Sequence, residues 1–213
     1  ASGMDSMGRL AAGVIFLPLL YAAATRSLKK EKGKPAVSLP EIFVLLSGEA
    51  AVAAAWLAKG DTPWFPMAVL MTAFMTVFCM TDYWERIVPN RLLLILLFLL
   101  ILYLGFLGIR DMDAVMGLLV PMVLGFVFCA VSFGLGYLLS HGSMGAGDVK
   151  LSLVMGLSLT GSYVVGTVLY GCIAAAAFSL VQLMRKKLTR KDTIPFVPFL
   201  YIGLVINCLR LAW

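Results

Sequence analysis

Residues 91–109 read Arg91-Leu92-Leu93-Leu94-Ile95-Leu96-Leu97-Phe98-Leu99-Leu100-Ile101-Leu102-Tyr103-Leu104-Gly105-Phe106-Leu107-Gly108-Ile109, with no charge between Arg91 and Arg110. As a helix at about 1.5 Å per residue the run is roughly 28 Å long, close to the ~30 Å hydrocarbon core of a bilayer. Its apolar side chains go all the way round the helix, so no face is left for water. The stretch predicts a membrane span, and runs of the same kind stand on both sides of it. Eight candidate spans follow: 10–25, 42–58, 67–84, 91–109, 115–139, 149–160, 163–184 and 195–212. The expected fold class is an all-α polytopic membrane helix bundle of about eight transmembrane helices.

Composition points the same way. Of 213 residues 62% are hydrophobic and 13% charged, and the mean hydropathy is +0.98. A water-soluble domain of this length needs more polar surface. Ala1-Ser2-Gly3 ahead of Met4 read as an expression remnant. No loop is long enough for a soluble module, and there is no internal repeat, so residues 4–213 are expected to form one transmembrane domain. The run at 149–160 is short. Fused to the next it would make a helix of about 54 Å, and Thr160-Gly161-Ser162 supplies a break instead.

The basic residues are unevenly shared between the two sides. Arg26, Lys29, Lys30, Lys32, Lys34, Arg86, Arg91, Lys150, Arg185, Lys186, Lys187, Arg190 and Lys191 fall on one side, against Arg9, Lys59, Arg110 and Arg210 on the other. The positive-inside rule places the first group in the cytoplasm and both termini outside. The net charge of +6 then comes from topology and contact with anionic lipids, and no nucleic-acid partner is expected. Cys79, Cys129, Cys172 and Cys208 all lie in apolar runs without a C-x-x-C, and the chain has one histidine, His141. A metal site has almost no ligands to draw on.

Ionisable groups inside spans are costly and mark function. Glu49 lies in the second run, where it could bind a substrate amine or hydrogen-bond within the bundle. Asp82 lies at the cytoplasmic end of the third, and Asp148 opens the sixth, at the same depth. Two carboxylates held together divide their protonation, one staying charged and one keeping its proton. Such a pair serves as base and acid in one step. Asp148 follows His141-Gly142-Ser143-Met144-Gly145-Ala146-Gly147, where three glycines allow positive φ and close backbone approach. An Asp at a helix start is also an ordinary N-cap, and both readings stay open. Asp82 precedes Tyr83-Trp84, which read as interfacial anchors, and a turn at Pro89-Asn90. Lys150, just inside a helix, reads as a snorkelling side chain.

Three elements carry a family resemblance. Gly145-Ala146-Gly147-Asp148 resembles the GxGD signature of intramembrane aspartyl proteases. Asp82 with Pro89-Asn90 resembles the D-x6-P-N segment of the type IV prepilin peptidases. Pro195-Phe196-Val197-Pro198-Phe199-Leu200 resembles their P-F-G-P-F-L segment, with Val197 where glycine is usual. Order and spacing agree over roughly residues 40–213. The resemblance implies an aspartyl endopeptidase of the bacterial cytoplasmic membrane, cutting the short basic leader from prepilins or pseudopilins at the cytoplasmic face. It implies Asp82 and Asp148 as the catalytic pair, with Gly145, Gly147, Pro89, Asn90, Pro195, Phe196 and Pro198 shaping the site. No metal or cofactor is expected. Long members carry a zinc-binding cysteine insertion after the first span and methylate the new N-terminus. Here that loop, 26–41, has no cysteine, so the chain resembles a short form without methyl transfer. A small ion- or proton-coupled transporter using the same two aspartates is the rival reading.

Overall fold

The computed structural model describes residues 39–59, 62–139, 144–185 and 194–211, together with 15, 18 and 22. Seven helices follow one another among the described residues: α1 Leu39–Lys59, α2 Phe65–Glu85, α3 Asn90–Arg110, α4 Met112–Leu139, α5 Ala146–Leu159, α6 Gly161–Met184 and α7 Val197–Leu211. They match seven of the eight expected runs to within a few residues. Of the expected span at 10–25 only residues 15, 18 and 22 are described, and the basic residues of the loop after it, His141 and most of the loop at 185–193 lie outside the described residues. The chain is therefore an all-helical integral membrane protein.

Length and apolarity qualify four of these helices to cross a bilayer: α2, α3, α4 and α6. The run expected as a span at 149–160 is helical but has only 14 residues. At about 1.5 Å per residue it covers roughly 21 Å, short of a hydrocarbon core. Thr160 ends it with φ 62° and ψ 171°, and α6 begins at the next residue. The expected break at Thr160-Gly161-Ser162 is thus where the chain turns.

The helices sort inversely to a water-soluble fold. The most apolar ones, α3 and α4, turn Leu94, Phe98, Leu102, Val120 and Leu124 outward, where lipid tails receive them. The less apolar α2 runs through the middle, with almost every residue from Phe65 to Asp82 buried. Its threonines satisfy themselves against their own helix: Thr72 Oγ1 donates to the Ala68 carbonyl at 2.8 Å and Thr81 Oγ1 to that of Phe78 at 3.1 Å. Such internal bonds let a helix with hydroxyls sit where no water reaches. The centre is filled by Phe74, Phe78, Met67, Met71 and Met75, closed over by Leu96, Leu151, Met155 and Leu200.

Two crossings are bare-backbone contacts. A Cβ on Gly156 of α5 would stand 2.5 Å from the Gly125 carbonyl oxygen of α4. A Cβ on Gly203 of α7 would run into the Thr167 carbonyl of α6. Small residues let helices approach this closely, and van der Waals packing then holds them in lipid. Polar pins add direction. The Trp64 indole N–H donates to the Leu159 carbonyl at 3.1 Å and its ring stacks on Tyr163 at 4.5 Å. Asn207 Nδ2 donates to the Tyr163 carbonyl at 2.7 Å. Of the cysteines Cys79, Cys129 and Cys208 are buried, while Cys172 is exposed on the flank of α6.

Candidate active site

The site is assembled from three helix ends. The C-terminal end of α2 brings Asp82, the N-terminal turn of α5 brings Asp148, and the segment entering α7 brings Pro195 and Phe196. All four line one cavity of about 450 Å³, with Gly145, Gly147 and Asn90 also in its wall. The two carboxyl groups lie within electrostatic reach of each other. Arg86 and Lys150 share the lining, so two cations stand with two carboxyl groups. The exposed Tyr83 and Trp84 meet edge to face at 5.2 Å beside it.

Asp82 is held on both sides. Its carboxylate Oδ2 accepts the backbone N–H of Val197, the first residue of α7, at 3.0 Å. Its backbone carbonyl accepts the N–H of Arg86 at 3.0 Å. Arg86 adopts the left-handed conformation, φ 54° and ψ 38°, and closes α2, a geometry that side-chain-bearing residues adopt only where the surroundings demand it. The chain then runs through Ile87 and Val88 to Pro89, whose carbonyl accepts the Leu93 N–H at 3.2 Å and starts α3.

Asp148 is not an N-cap. Gly145 takes that position with φ −70° and ψ 135°. Ala146 and Gly147 are the first helical residues and Asp148 the third, its N–H donating to the Gly145 carbonyl at 3.1 Å. The N-cap reading therefore fails by three residues, and the carboxyl group is left facing the cavity. Positive φ is not used at Gly145 or Gly147, and Gly142 lies outside the described residues. Gly145 is extended and Gly147 lies in the helical turn; the positive-φ residues among those described, apart from glycines, are Arg86 and Thr160. Gly147 is small for another reason. A Cβ there would stand 3.1 Å from the Cβ of Val88, so the glycine lets α5 lie against the loop that follows Asp82.

The remaining sequence-predicted residues divide. Pro89 and Pro198 lie outside the lining and act on helix starts, Pro89 as the residue before α3 and Pro198 in the first turn of α7, where a missing N–H costs nothing. Phe196 meets Phe133 of α4 edge to face at 5.9 Å and its carbonyl accepts the N–H groups of Phe199 and Leu200 at 3.0 and 3.2 Å. Glu49 is not in the lining, and its Oε2 is buried without a hydrogen-bond partner among the described residues. No group of three or more His, Cys, Asp or Glu side chains among the described residues is placed to hold a metal.

Sequence reasoning missed the Val197 amide. A signal for it exists, since Pro198 marks a helix start and a helix start carries unused N–H groups that favour a carboxylate. It also explains why Val stands where glycine is usual. The contact uses backbone, and the side chain fits a fully buried position.

Fold and site together define a membrane-embedded helix bundle with paired aspartates in one cavity. The chain belongs to the type IV leader peptidase family, whose model matches residues 69–180, a stretch that contains Asp82 and Asp148 but ends before α7. It is similar to the prepilin leader peptidase/N-methyltransferase of Bacillus subtilis (strain 168), 27% identical over 146 residues, or 67% of this chain and 54% of that protein. The chain thus spans about half the length of that curated relative. No solved structure matches.

Proposed function

We propose that this chain is an aspartyl endopeptidase of the bacterial cytoplasmic membrane. In this reading residues 4–213 work as one peptidase domain, and Asp82 and Asp148 are the catalytic pair. The substrate is a type IV prepilin or pseudopilin, cut at the cytoplasmic face between its short basic leader and its apolar helix. The observation that carries the proposal is the convergence of two aspartates, distant in sequence, on one cavity.

The chemistry follows from two carboxyl groups that cannot both ionise freely. The charged one takes a proton from water while the hydroxyl oxygen bonds to the scissile carbonyl carbon. The protonated one gives its proton to the carbonyl oxygen, and a neutral gem-diol results. In the second step the first carboxyl returns its proton to the leaving nitrogen as the C–N bond breaks. The second recovers its proton from a gem-diol hydroxyl, and the pair is reset. The titration belongs to the pair. The substrate's helix lies among the lipid-facing helices, held by close packing, and a glycine before the cut lets the strand extend at low cost. Methyl transfer to the new N-terminus is not part of the proposal, since the chain carries no C-x-x-C insertion.

The test uses purified protein in detergent with a prepilin-type substrate. Asp82→Asn and Asp148→Asn each abolish leader release while leaving the protein folded. Continued release by either variant overturns the pair, and a wild type that cuts no prepilin yet moves a cation across vesicles gives the transporter reading its support.

A further inference from the structure

The two aspartates are not equivalent in their surroundings. Asp82 is 5% exposed and its carboxylate receives the first backbone N–H of α7 at 3.0 Å. Asp148 is more open, and among the described residues its carboxyl group receives no hydrogen bond. The first N–H groups of a helix have no partner inside it, and a carboxylate accepting one is favoured in its charged form. The donor cannot drift. Val197 is fully buried, and one turn later Tyr201 Oη donates to the Val44 carbonyl of α1 at 2.6 Å and lies 3.1 Å from Ser47 Oγ. The start of α7 is thereby tied to α1 as well as to α2.

We propose that the Val197 backbone amide, pinned through Tyr201, is the positioning group that holds Asp82 as the charged, water-activating member of the pair, leaving Asp148 as the proton donor. This rests on the peptidase reading above and adds the division of labour within it. The proline–phenylalanine segment then has a defined duty. Pro195 and Pro198 bracket a helix start so that one amide, free of any intrahelical bond, points at Asp82.

Among the described residues the other charged or titratable groups facing Asp82 are few. Asp148 and Lys150 come from α5, Arg86 from the loop after α2, and Cys79 from the preceding turn of α2. The cavity residue of α3 is the neutral Asn90, and α7 presents its amide. Arg86 also brings a positive charge to the same cavity. The buried amide is the contact of fixed direction.

The experiment is the pH profile of leader release from a synthetic prepilin-type peptide in detergent micelles, comparing wild type with Val197→Pro. Proline suits the first position of a helix, so the change removes one N–H and exchanges the buried valine side chain for a ring. The acid limb, set by ionisation of the base, moves to higher pH by about one to two units, the shift expected for losing one hydrogen bond to a charged group. Val197→Ala keeps the N–H and keeps the acid limb at its wild-type position. If Val197→Pro fails to fold, an amide-to-ester replacement at residue 197 removes the same N–H with the valine side chain intact and gives the same shift. An acid limb unmoved in the proline or ester variant overturns the inference, as does an equal move in Val197→Ala. Either result leaves the peptidase reading standing so long as the wild type cuts and the two Asn variants do not.

Discussion

Gly147→Ala separates the geometry of the site from the stability of the fold. The new Cβ would stand 3.1 Å from Val88 Cβ and 3.5 Å from Val88 Cγ2. Both Cβ atoms are fixed to backbone, so no side-chain rotation relieves the contact. Reaching an ordinary carbon–carbon separation of about 3.5 Å needs α5 and the Val88 loop to part by roughly 0.3–0.5 Å. Overpacking of this kind costs about 1–3 kcal/mol, and the gain in helix propensity returns up to about 1 kcal/mol. The net loss is therefore roughly 0–2 kcal/mol, and the folded bundle survives. The same parting acts directly on the distance between Asp82 and Asp148, because Val88 follows the one and Gly147 precedes the other. A misplacement of about 1 Å costs on the order of 100-fold in rate, so the smaller displacement costs roughly 4- to 10-fold in kcat. Initial rates of leader release, set beside detergent melting of the same preparation, measure both. A second change, Val88→Gly in the Gly147→Ala chain, removes the opposing Cβ and recovers much of the rate. Wild-type kcat in the single variant would refute the reasoning. So would a rate loss that merely tracks the loss of folded protein.

Other outcomes follow from the packing. Gly156→Ala drives a Cβ into the Gly125 backbone, where neither helix has a side chain to move aside. The bundle loses about 3 kcal/mol or more, seen as a lowered melting midpoint in detergent and as poor recovery of monodisperse protein. Trp64→Phe removes the N–H that satisfies the Leu159 carbonyl at the end of α5 and weakens the stack on Tyr163. The cost is about 1–2 kcal/mol in melting, with kcat near wild type, because this contact lies at the opposite end of α5 from Asp148.

Much of the fold was legible in the sequence because the bilayer limits the choices. A segment with no water around it must close its own hydrogen bonds, which leaves the helix, and its length is read from the run of apolar residues. That reasoning located the seven described helices and the break at Thr160. It does not by itself distinguish a span from a buried helix at 149–160, since an apolar run marks burial as readily as a span, and the 14-residue α5 packs against α4, α2, α3 and α6. Asp82 and Asp148 stood out for the same physical reason as the spans: a carboxylate is expensive where the surroundings are apolar.

What the sequence by itself determined is therefore the membrane bundle and the two carboxylates at one end of it, because hydropathy and charge are properties of residues in order along the chain. What only the tertiary structure decided is how those carboxylates are held. Asp148 is the third residue of its helix, not its cap; Gly147 is small because Val88 lies against it; and Asp82 answers to the amide of Val197, 115 residues further on. The reason is that each of these depends on a distance between segments far apart in the chain. The donor that sets Asp82 apart is backbone: Pro198 marks the helix start that frees it, but only the packing of α7 against α2 decides which carboxylate receives it.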